Sequence, residues 1–192
     1  MRGSAIQMLA LWAASLAWTA TNAPQRAIDT EKSVMVVRVY KAGVFSALGH
    51  DHEIAAPIAR GVVNPAARQV DLQTKASALK VRDSHGSDKD RADIQATMLG
   101  PDVLDAERYP EIVFRSTSAE PVEAGSWKVR GNLTLHGQTR VVAVDVRETG
   151  GHYIGSCRFK QTEFGIKPVK VAGGTIRVKD EVRIEFDIQL TR

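Results

Sequence analysis

Five histidines, one cysteine and a scatter of hydroxyl residues are the side chains here whose types and spacing bear on chemistry. His50 and His52 stand two apart in Gly49-His50-Asp51-His52-Glu53, so in an extended segment both rings project from one face, as two ligands of one metal would. A zinc site needs at least one further ligand, and His136, beside Gly137, and His152, after Gly150-Gly151, are the residues on offer. The plainer reading is a pair of loop histidines bonded to backbone groups, because two histidines at this spacing without a fixed third partner form a weak motif. Ser84 and His85 are adjacent, neighbours in a strand face opposite ways, and no G-x-S-x-G elbow occurs. Cys157 alternates with Tyr153, Gly155 and Phe159, which marks a small core residue rather than a nucleophile. Gly173-Gly174, after Lys170-Val171-Ala172, lacks the pattern and following helix of a phosphate-binding loop. This spacing assembles no base, nucleophile and orienting group, so neither an enzyme nor a bound cofactor is expected.

The elements that would position these residues are strands. From Glu31 onward apolar residues recur at every second position, the signature of strands with one face toward a core. Val70, Leu72 and Thr74 alternate with Asp71, Gln73 and Lys75; Trp127, Val129, Gly131, Leu133 and Leu135 alternate with Lys128, Arg130, Asn132 and Thr134. Ile112 and Phe114, Val142, Val144 and Val146, and Val182, Ile184, Phe186, Ile188 and Leu190 repeat the pattern. Turn chemistry separates the runs at Asn64-Pro65, Ala124-Gly125, His136-Gly137, Gly150-Gly151 and Lys179-Asp180. Short connections make successive strands antiparallel neighbours. Runs near 32–40, 52–63, 69–79, 111–121, 126–135, 139–148, 152–161 and 174–191 predict an all-β fold, an antiparallel barrel of about eight strands. One interruption is helical: Ser87 or Asp88 caps a run through Leu99 that buries Ile94, Met98 and Leu99 before Gly100-Pro101 stops it. A second short turn at Asp102–Ala106 leads to Tyr109-Pro110 and the next strand. Alternation alone leaves open whether the inward set is a packed core or a dry cavity.

The first residues differ from the rest. Arg2 is the only charge before Arg26, and an apolar run extends from Ala5 to Ala20, which reads as an export signal over 1–23 followed by one domain over 24–192. Thr21-Asn22-Ala23 fits a cleavage site but places Pro24 after the cut; Ser15-Leu16-Ala17 would cut early, and a retained anchor is the alternative. With a single cysteine the chain forms no internal disulfide. The net charge of +4 is spread among acids rather than gathered in a run, which argues against nucleic acid as a partner. The expected location is periplasmic or secreted, the processed protein is not integral to a membrane, and association into a homodimer is left open.

Several segments, in order, resemble one family. Gly43-Val44-Phe45-Ser46 precedes Gly49-His50-Asp51-His52; Lys89-Asp90-Arg91 opens the helix; Tyr109-Pro110-Glu111-Ile112-Val113-Phe114-Arg115-Ser116 is similar to a "P-x-I-x-F" strand. Gly131-Asn132-Leu133-Thr134-Leu135-His136-Gly137-Gln138-Thr139-Arg140 and Gln161-Thr162-Glu163-Phe164-Gly165-Ile166 complete the set. Together they resemble the YceI-like polyisoprenoid-binding proteins. The resemblance implies an extended lipocalin-like barrel, commonly exported, whose hydrophobic tunnel takes an isoprenoid or another long amphiphile. The histidine-rich Gly49–Glu53 segment departs from the common family pattern. On this reading Tyr40, Phe114, Trp127, Leu133, Val144, Phe159, Ile184 and Phe186 line the tunnel, and His50, His52 and His136 offer donors to a polar head. Arg115, on the outward face, fits that role poorly. The rival reading uses His50, His52 and His136 to bind a metal.

Overall fold

The computed structural model describes residues 24–42, 51–83, 87–171 and 176–191. The export segment, the Gly43–His50 stretch, the Ser84-His85 pair and Gly173-Gly174 lie outside the described residues, so His50 has no structural placement here. The strands are β1 (Arg26–Ala27), β2 (Val34–Ala42), β3 (His52–Ala55), β4 (Ile58–Asn64), β5 (Gln69–Lys75) and β6 (Lys80–Val81), then β7 (Glu111–Glu123), β8 (Ser126–Leu135), β9 (Gln138–Thr149), β10 (His152–Lys160), β11 (Lys170–Val171) and β12 (Ile176–Gln189). One helix, α1 (Asp88–Leu99), separates β6 from β7.

Every pairing is antiparallel, in the order β1-β4-β5-β7-β8-β9-β10-β12-β2-β3-β6, with β11 beside β12. The sheet curls so that its β1 end meets the end of β12. Ile28 bridges Leu190, the Thr191 N–H donates to the Ala27 carbonyl at 2.9 Å, and the Ala56 N–H donates to the Met35 carbonyl at 2.9 Å. That contact covers the β1 edge, and β6 ends the path on the other side. The path holds eleven strands among the described residues rather than the expected eight or so. The surplus has a local cause: 26–42 breaks at the 30–32 turn, 52–64 breaks at Ala56-Pro57, and β6 adds a short flank to β3. Pro57 has no N–H for a ladder, so the strand bends there.

The turns follow residue chemistry. His136 and Gly137, with φ of 50° and 68°, and Gly150 and Gly151, at 58° and 84°, make two-residue hairpins with both central residues left-handed. Lys179-Asp180, read above as a turn, instead lies inside β12 at a register shift between Val178 and Val182. That bulge is held from outside the strand, since the Thr162 N–H and hydroxyl donate to the Asp180 carboxylate at 2.9 and 2.7 Å. The Gln161 amide donates to the Lys179 carbonyl at 2.9 Å.

Helix α1 starts at Ser87, whose hydroxyl accepts from the Asp90 N–H while the Asp90 carboxylate accepts from the Ser87 N–H. Those bonds hold the Asp90 carboxyl below the usual carboxylate range. Only Met98 is buried in the helix; Ile94 and Leu99 are half-buried. Gln95 does the attaching: its amide donates to the Leu79 carbonyl at 2.8 Å and accepts from the Val81 N–H at 2.9 Å. A side chain thus pairs the backbone of β6, the strand that ends the path and has no strand neighbour on that side among the described residues.

Candidate functional site: an apolar cavity closed at one end

Strand alternation sends one set of side chains inward, and they do not fill the barrel. They enclose a cavity of about 540 Å³, within the usual size range of ligand pockets. Phe114, Trp127, Leu133, Val144, Phe159, Ile184 and Phe186 line it, joined by Met35, Val37, Val39 and Ile54 from β2 and β3. Tyr40 is a correction to the expected lining. With Met35, Val37 and Val39 inward, period two puts Tyr40 outward, where the Lys179 ammonium lies 5.7 Å from its ring centre.

Gly131 and Gly155 take inward positions, and they shape the space. A Cβ on Gly131 would lie 2.4 Å from Phe114 Cζ, and one on Gly155 would lie 2.5 Å from Phe186 Cζ. Both rings therefore lie against bare backbone in the wall, which only glycine permits.

The two ends differ. Register places the 135–138 hairpin, the end of β10, Val39, His52 and the start of β4 at one end. There the turn at Gln161–Phe164 and the α1 region cover the barrel: Phe164 is fully buried, Ile166, Met98, Leu104 and Leu135 are buried, and the Phe164 ring meets Phe159 edge-on at 5.1 Å. At the opposite end, the 64–69, 123–126 and 149–152 hairpins surround the cavity, and its lining becomes polar, with Asn64, Arg68, Gln69 and Glu148. Pro65, Arg68 and Gln69 are exposed, so among the described residues this is the end at which the cavity meets solvent.

The described histidines stand outside the lining. His136 clasps the covered end. Its Nδ1–H donates to the Phe164 carbonyl at 3.1 Å, and its ring meets Tyr109 edge-on at 4.9 Å. His52 Nδ1 is 2.6 Å from the carboxylate of buried Asp83, which also accepts the Glu53 N–H at 2.8 Å. This ties β3 to the segment after β6. His152 Nδ1 lies 2.8 Å from Asp187 across β10 and β12, at the other end of the barrel from His52 and His136. The structure therefore does not gather His52, His136 and His152, and among the described residues no group of three His, Cys, Asp or Glu side chains could hold a metal ion. Arg115 faces outward and pairs with Asp71 at 2.9 Å.

Cys157 lines the cavity, and burial pushes its thiol up to about 11, so it is not a thiolate nucleophile near neutral pH. Sequence reasoning missed the polar end. One signal was available: extending Val142, Val144 and Val146 by two brings Glu148 onto the inward face. Arg68 had no such signal, because it sits in a turn. Among the described residues no helix is long and apolar enough to cross a membrane.

Comparison with known proteins agrees with this architecture. A UPF0312 protein of Shewanella putrefaciens is 25% identical over 164 residues, covering 79% of this chain and 82% of the relative. A UPF0312 protein of Vibrio cholerae is 27% identical over 113 residues, and the match spans only 58% of that relative and 54% of this chain. The crystal structure of Burkholderia cenocepacia BcnA superimposes with a TM-score of 0.61 at 20% identity, covering 86% of this chain and 99% of that one, which is a likeness of fold. The model of the YceI-like domain matches residues 27–190, from β1 to the end of the last strand, and the chain belongs to that family.

Proposed function

We propose that this protein is an exported carrier or sequestering protein that holds a long apolar amphiphile, an isoprenoid or another lipid, inside its barrel without catalysing a reaction. The observation that carries the reading is the cavity of about 540 Å³ lined by Val, Leu, Ile and Phe side chains. An engineered apolar cavity stays dry and takes apolar guests, and the YceI-like fold is one associated with hydrophobic ligands. Burial keeps Cys157 protonated near neutral pH, so it offers a bound molecule no thiolate. Export rests on the apolar Ala5–Ala20 run, and a periplasmic or secreted location follows from it.

The test is mass spectrometry of an organic extract from the purified protein, paired with a Val144→Trp variant that fills the middle of the cavity. The reading expects a long-chain lipid in the native extract and its loss from a variant that keeps its strand circular-dichroism signal. A native protein that carries no lipid and binds no long-chain probe would end it. Cell fractionation tests export separately, with recovery in the cytoplasm at full length as the contrary result.

A further inference from the structure

The open end of the cavity is asymmetric in charge. Arg68 and Glu148 are the charged side chains in its lining, beside the amides of Asn64 and Gln69. The Arg68 guanidinium makes no hydrogen bond or ion pair among the described residues, whereas other cations at this end are engaged: Arg26 on the Thr191 carbonyl, Lys32 on Asp29, and Arg147 on Glu123. Glu148 is partly occupied, accepting the Gly151 N–H at 3.2 Å. Arg68 also has φ of 54°, the left-handed position of the 65–68 turn, where Gly or Asn would sit with less strain. A turn that needs no arginine for its geometry thus carries one at the cavity rim.

We propose that the rim selects the head group of the bound amphiphile, and that the head is a carboxylate held by Arg68, so that the preferred ligand is a long-chain carboxylic acid. The inference rests on the cavity reading above and adds the chemistry of the exposed end. A guanidinium grips a carboxylate through two parallel N–H bonds. Charge matching favours one negative charge over two: a phosphate monoester carries about −1.5 to −2 near neutrality, and its excess would face Glu148. The apolar tail then runs toward Phe159 and Ile166, away from every ionised group in the lining.

Displacement of neutral N-phenylnaphthylamine from delipidated protein by palmitate, hexadecanol and hexadecyl phosphate provides the test. Palmitate is expected to bind about tenfold more tightly than hexadecanol, as a charge-assisted bond at a partly exposed site allows. Arg68→Asn, which suits the left-handed backbone, should erase that preference and leave hexadecanol unchanged. Glu148→Gln should raise the affinity for hexadecyl phosphate. Equal binding of acid and alcohol by the native protein overturns the head-group inference while leaving the cavity reading intact. So does an Arg68→Asn variant that weakens both ligands by the same factor, or a native preference for the phosphate. Failure of all three to bind overturns both.

Discussion

Cys157 shows how one side chain reports on the cavity around it. It sits between Gly155 and Phe159 on the inward face of β10, and burial raises its thiol from 9.0 to about 11. A folded value above the unfolded one means that the folded state holds its proton longer. Its contribution is therefore complete below about pH 9 and lost as pH rises through 11. Urea denaturation at the two ends of that window should show the native protein losing about 2 kcal/mol more than a Cys157→Ala variant. Equal losses would mean the thiol is not desolvated. The outward His152–Asp187 pair and the Arg38 links to Glu53 and Glu185 lie on partly exposed surface and contribute little each. Glu185 is nevertheless held below the usual carboxylate range by its bond from Arg38.

At the scale of the strands, the glycines of β8 and β10 decide whether the barrel is hollow. Gly131 and Gly155 let Phe114 and Phe186 lie against the wall, and an added Cβ would also meet the Arg115 carbonyl at 2.6 Å or the Asp145 carbonyl at 2.3 Å. Gly155→Ala must therefore push the ring into the lumen or part β9 from β10. The expected cost is about 1 to 3 kcal/mol, typical of overpacking, read from a denaturation midpoint. Long-chain probes should also bind less tightly to the same variant. Unchanged stability and unchanged affinity together would show that the wall yields freely at this point. The strands themselves were legible in the residues, because Trp127-x-Val129-x-Gly131-x-Leu133-x-Leu135 can bury its apolar members only in an extended conformation. Gln95 was not legible, since nothing local marks a helix glutamine as the partner of a strand edge eighty residues into the chain.

For the whole molecule, an internal site couples binding to stability. A ligand that occupies the folded barrel and not the unfolded chain should add about 2.7 kcal/mol at a hundredfold excess over its dissociation constant. The measurement is a chemical-denaturation midpoint with and without the lipid recovered from the native protein. A midpoint insensitive to ligand would place the binding elsewhere, on the outer surface. Phe164 and Ile166 cover one end of the cavity, and Arg68 and Gln69 are exposed at the other.

By itself the sequence determined the long strands, the hairpins at His136-Gly137 and Gly150-Gly151, the capped helix and the family, since each is written in neighbours a few residues apart. Periodicity also assigned most of the inward side chains, failing at Tyr40 through a one-residue error in parity. The tertiary structure decided what the inward set encloses, which end is covered, and which polar groups face the opening. Those properties depend on barrel circumference, on rings resting over glycines in adjacent strands, and on hairpins distant in sequence meeting at one rim. Local pattern cannot encode them, and they set charged Arg68 and Glu148 at the open end while His52 and His136 stand at the covered one.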